Sequence, residues 1–98
     1  MSVLTGNQVQ EIFELAKKKK FALPAVNVIG SSSINATLET AAKLNAPVII
    51  QFSNGGGSFN AGKGLGNIDQ IASIKGSIAG AKHVHELSKE YNATVLLH

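Results

Sequence analysis

Cysteine is missing from the sequence, which removes disulfides and thiolate metal ligands together and fits a reducing, cytoplasmic setting. Arginine is missing as well, so no planar fork is available to read base edges. Only four Phe and one Tyr accompany the lysines, too few for a base-stacking platform, and nucleic acid is therefore not an expected partner. The apolar runs are far shorter than the roughly 20 residues that span a bilayer, and no charged segment leads into one near the start. Neither a membrane partner nor a secretion signal is expected. Carboxylates are scarce: Glu11, Glu14, Glu39, Asp69, Glu86 and Glu90 all fall where the pattern reads as helix. None of them is placed as a general acid or base.

What the sequence does have is a globular composition, 44% hydrophobic with 15% charged residues, over a length that allows one domain. The net charge of +3 is concentrated in Lys17, Lys18, Lys19 and Lys20. Because these lysines directly follow a helical pattern, they read as a solvated helix end whose cations complement the macrodipole.

Thr5 and Gln8 have capping-box spacing, and Val9, Ile12, Phe13 and Ala16 then repeat as one face of a helix. Residues 21–28 (FALPAVNV) favour a strand, although Pro24 removes a ladder donor. Ser31, Ser32 and Ser33 precede a second helix with Ile34, Leu38, Ala41 and Ala42 on one side, and Pro47 closes it. Residues 48–52 (VIIQF) read as a strand covered on both faces, and residues 54–66 as a glycine-rich loop. After Asn67, the spacing of Ile71, Ile74, Ile78, Ala81, Val84 and Leu87 predicts a third helix that Gly76 and Gly80 weaken without breaking. Residues 94–97 (TVLL) form a last buried strand that runs into His98.

Alternating helices and buried-type strands imply an α/β fold with a parallel sheet and crossover helices. Three strands do not complete such a fold. A closed barrel uses eight strands and about 250 residues, whereas three strands leave two open edges and uncovered apolar surface. Residues 1–98 are expected to be the first portion of a larger barrel domain, cut after its third strand.

Ligands of parallel α/β folds bind beyond the carboxyl ends of the strands, where loops and helix N-termini converge. Asn27, Ser53, Asn54 and His98 hold those positions. Residue pattern leaves two readings of Asn27 and Ser53 open, a cap or turn and a ligand contact. Gly57 to Lys63 matches the G-x-x-x-x-G-K spacing of a phosphate-cradling loop, but Gly64 stands where the Mg²⁺-binding hydroxyl is needed. A loop that closes over a site, with Lys63 as an anion contact, is the expectation instead. His83 and His85 point about 200° apart on a helix and do not share an ion readily. His98 is better placed, but one histidine is not a metal site.

The words FALPAVNV, SSSINATLETAAKLNAPVIIQFSNGG, NAGKG and VLLH, in that order, resemble the class II fructose-bisphosphate aldolases, and the likeness covers nearly the whole chain. The resemblance implies a (β/α)₈ barrel, of which these residues would be the leading helix and the first three β/α units. It implies reversible aldol cleavage of fructose 1,6-bisphosphate to dihydroxyacetone phosphate and glyceraldehyde 3-phosphate, in glycolysis and gluconeogenesis. Zn²⁺ would act as the Lewis acid. By the same resemblance Ser53 and Asn27 are substrate-binding residues beside the glyceraldehyde phosphate half. His98 precedes the Asp-His pair that carries the acid/base and the first zinc ligand, so no catalytic residue and no metal ligand is expected up to His98. A cytoplasmic homodimer acting on a phosphorylated sugar, and inactive as the 98 residues alone, is the implied whole. Tagatose-bisphosphate aldolase and a non-catalytic phosphate-binding domain are the alternatives.

Overall fold

The computed structural model describes residues 2–98. Three parallel strands, β1 (Ala25–Asn27), β2 (Val48–Gln51) and β3 (Val95–Leu97), lie in the order β1-β2-β3. The leading helix α1 (Asn7–Lys19) precedes β1, and α2 (Ser31–Leu44) crosses from β1 to β2. Between β2 and β3 come α3 (Asn54–Ala61), a 3₁₀ turn (Ile68–Gln70) and α4 (Ile71–Tyr91). The fold is thus α/β with a parallel sheet, as the alternation of elements requires.

The ends of the elements have local causes. Helix α1 starts after Gly6, whose φ of 53° suits glycine, while Gln8 reaches back through Oε1 to accept from the Thr5 N–H at 3.3 Å. Half of the predicted capping box is therefore made. At α2 the Ser33 hydroxyl accepts from the Gly30 N–H at 3.3 Å and from the Ile29 N–H at 3.1 Å. Asn45 and Asn92 end α2 and α4 in the left-handed conformation that asparagine tolerates, and each turn delivers the chain straight into the next strand. Pro47 therefore follows the helix stop rather than making it.

Two elements differ from expectation in extent or type. The first strand shrinks to Ala25–Asn27, because Pro24 has no N–H to donate and contributes only its carbonyl, which accepts from the Ile49 N–H at 2.9 Å. More substantially, the stretch read as a loop from Asn54 onward is helical as far as Ala61. Three consecutive glycines disfavour a helix by about 1 kcal/mol each relative to alanine. What offsets this is contact: α3 lies on α4 so closely that a Cβ on Gly76 would stand 2.7 Å from the Gly57 carbonyl carbon. Glycine is the only residue that lets the two backbones meet there. Asn60 Nδ2 donates to the Gly76 carbonyl at 2.8 Å, and the buried Ser73 hydroxyl donates to the Asn54 carbonyl at 2.9 Å, which ties the seam at both ends.

The strands are covered unequally. Val28, Val48, Ile50 and Val95 point toward α2 and α4, where they form the core with Ile34, Leu38, Ala41, Val84 and Ala93. Along β2 burial alternates within these residues, with Val48 and Ile50 buried and Ile49 and Gln51 half-buried on the face that α2 and α4 do not cover. The second face borders a cavity of about 300 Å³ lined by Leu4, Val9 and Phe13 of the leading segment with Ile49, Leu96, Gln51 and His98. One edge of the sheet is also less open than three strands alone imply. Val3 makes a parallel bridge to Val95, and the Leu4 N–H donates to the Val95 carbonyl at 2.8 Å.

Candidate functional site

Parallel strands in register bring equivalent residues side by side with their side chains on the same face. Asn27 pairs with Gln51, and Ile50 pairs with Leu97, so the next rung sets Gln51 beside His98. The result is a row of three polar side chains across the carboxyl end of the sheet. Gln51 Nε2 donates to Asn27 Oδ1 at 2.6 Å, and Gln51 Oε1 lies 3.3 Å from His98 Nδ1. The row sits on the face that borders the cavity, at the end of the strands where α/β folds collect their ligands.

Ser53 follows two residues after β2 and takes the N-cap of α3, where its hydroxyl accepts from the Gly56 N–H at 3.0 Å. Both readings of a strand-end serine are thus compatible, because a hydroxyl that accepts one bond still has its proton to donate. Ser53 is exposed, and its cap aims the N-terminus of α3 at the same end of the sheet as the polar row. Asn27 is likewise exposed, with its oxygen held by Gln51.

The family model for fructose-bisphosphate aldolase class-II matches residues 7–98 of the chain. The chain belongs to this family. Among its relatives, the class 2 fructose-bisphosphate aldolase of Escherichia coli K12 is 58% identical over 97 residues, which is 98% of this chain and 27% of that protein. The fructose-bisphosphate aldolase of Campylobacter jejuni is 53% identical over 96 residues, again 98% of this chain and 26% of the relative. A crystal structure of the Campylobacter jejuni aldolase superposes with a TM-score of 0.91 at 52% identity, covering 99% of this chain and 27% of that one. The chain therefore spans about a quarter of the length of the aldolases it matches.

Zinc, which the aldolase family resemblance implies, needs three or four donors at one point. Among the described residues no three His, Cys, Asp or Glu side chains come together. His83 Nε2 lies 2.8 Å from Asn35 Oδ1 and bridges α4 to α2, and His98 Nδ1 faces Gln51. The described residues do not supply a zinc site.

Lys63 lies with its Nζ 5.7 Å from the Phe59 ring centroid, just past the end of α3. The segment expected to close over a site is thus shorter than the sequence suggests, since only residues 62–67 remain between α3 and the 3₁₀ turn. Gln51 is the member of the row that sequence reasoning passed over. Its signal was available: like Asn27 it is the last residue of its strand, and it is polar at the end of an apolar run.

Proposed function

We propose that the protein containing these residues is a class II aldolase that reversibly cleaves fructose 1,6-bisphosphate to dihydroxyacetone phosphate and glyceraldehyde 3-phosphate. The observation that carries this reading is 58% identity to a class 2 fructose-bisphosphate aldolase over 98% of the chain. The row Asn27–Gln51–His98 supports it, since it lies at the strand ends where a barrel enzyme binds its substrate.

Within that reading Asn27 and Ser53 bind and orient the glyceraldehyde phosphate half. Asn27, whose oxygen is engaged by Gln51, has its Nδ2 hydrogens to offer to a substrate oxygen, and Ser53 has its hydroxyl proton. Neither moves a proton in the reaction; they act by holding the reacting carbon in place. The Zn²⁺ of the family and the acid/base belong to the same proposal, with their residues outside 2–98. So do the closed (β/α)₈ barrel, the homodimer, the cytoplasmic setting and a place in glycolysis and gluconeogenesis.

The test is a coupled assay of the full-length protein with fructose 1,6-bisphosphate and, in parallel, tagatose 1,6-bisphosphate. Cleavage of the fructose ester with the higher kcat/KM is expected. Preference for tagatose 1,6-bisphosphate would move the assignment to its sister enzyme, and absence of cleavage of either would overturn it.

A further inference from the structure

We propose that Gln51 is a positioning residue whose single carboxamide couples Asn27 to His98, setting the direction of the Asn27 amide and the tautomer of the His98 ring together. Its consequence for substrate binding rests on the aldolase reading above, while the coupling itself rests on the hydrogen bonds alone.

A carboxamide has one end that only donates and one that only accepts. With Nε2 at 2.6 Å from Asn27 Oδ1, the donating end of Gln51 is committed to Asn27. Its accepting end then faces His98 Nδ1 at 3.3 Å, so that nitrogen carries the ring hydrogen. Two displays follow. Asn27 keeps both Nδ2 hydrogens for a ligand, and His98 presents Nε2 as an acceptor.

Turning the Gln51 amide over would set its oxygen against the Asn27 oxygen. Two lone-pair bearers at that distance repel unless Asn27 turns as well, and His98 must then move its hydrogen to Nε2. The row therefore has two self-consistent settings, opposite at both ends. In the setting the structure adopts, Asn27 shows donors, and so does Ser53, whose hydroxyl already accepts from Gly56. Two donors suit the oxygen-rich half of a phosphorylated sugar. The strand register is what makes one residue sufficient, because Gln51 stands between its neighbours on a single rung.

The experiment uses full-length protein with ¹⁵N-labelled histidine and reads the His98 tautomer from long-range ¹H–¹⁵N correlations at mildly alkaline pH. Loss of the signal in H98N assigns it. Wild type is expected to show the Nδ1–H form. Q51E, which can only accept, keeps Nδ1–H and forces the Asn27 amide to turn; it also adds a negative charge beside an anionic substrate, so its readout is the His98 tautomer and not KM. Q51M removes both bonds and releases His98 to a mixture of tautomers. N27A, which touches His98 only through Gln51, shifts the His98 tautomer as well, whereas N27D retains it. An Nε2–H form in wild type, or an Nδ1–H form unchanged in Q51M and N27A, overturns the coupling. A wild type that shows the expected tautomers but cleaves no fructose 1,6-bisphosphate upholds the coupling and overturns the aldolase reading instead.

Discussion

The two faces of the sheet are built from alternate residues of the same three strands, and they differ in almost every physical respect. One face, Val48, Ile50 and Val95, is sealed under α2 and α4 and contains no polar side chain. The other carries Ala25, Ile49 and Leu96 at its lower rungs and ends in Asn27, Gln51 and His98, side by side at the carboxyl rim. A parallel sheet with a period of two residues allows both from one strand of four residues. The covered face holds the fold, and the rim of the other face is free to hold chemistry. Polar side chains are tolerated there because the rim is open, with Asn27 and His98 exposed and Gln51 bonded to both.

The largest test of this division is Ile50→Ala. A fully buried isoleucine truncated to alanine costs about 2–5 kcal/mol through lost transfer energy and the cavity left behind. Ile49→Ala, one residue away on the half-buried face, is expected to lose less than half as much in denaturant unfolding of the 98-residue chain, to which this difference in burial applies. Equal losses would erase the distinction between the faces. Next comes Gly76→Ala at the α3–α4 seam, where the added carbon meets backbone rather than a movable side chain. Overpacking of that kind costs about 1–3 kcal/mol, and Gly64→Ala, with open space around it, serves as the neutral control.

Smaller in stability, but sharper for the site, is Ser53. Ser53→Ala removes the α3 cap at about 1 kcal/mol, whereas glycine is itself an acceptable N-cap and loses only a few tenths, about 0.3 kcal/mol. If Ser53 also binds substrate, Ser53→Gly lowers kcat/KM by more than about tenfold while the unfolding midpoint hardly moves. A glycine variant with full activity would leave Ser53 as a cap alone. Exposed Asn27 is also expected to matter little for stability: Asn27→Ala stays within about 0.5 kcal/mol of wild type and yet raises KM for fructose 1,6-bisphosphate. Destabilisation instead of a kinetic change would make the polar row part of the fold rather than of the site.

Much of this was legible in the residues. The strands VIIQF and TVLL, the helices around Leu38 and Val84, and the parallel order follow from apolar spacing and turn residues. Helix α3 was not legible, because NGGGSFNA carries the glycines of a loop and its reason for being helical lies 19 residues away, at Gly76 opposite Gly57. Gly76 and Gly80 were read as weak points of α4. They are its contact points, the second lying against the Phe52 ring. Gln51 was hidden for a related cause, since a polar residue closing an apolar run shows its partners only when neighbouring strands are laid beside it.

By itself the sequence determined which residues are apolar and at what period, and hence an α/β chain with parallel strands; its long shared words determined the family. The tertiary structure decided which glycines are contacts and that Ser53 caps a helix. It also decided that Asn27, Gln51 and His98 form one row, because strand register and helix approach are distances between segments that no local pattern encodes.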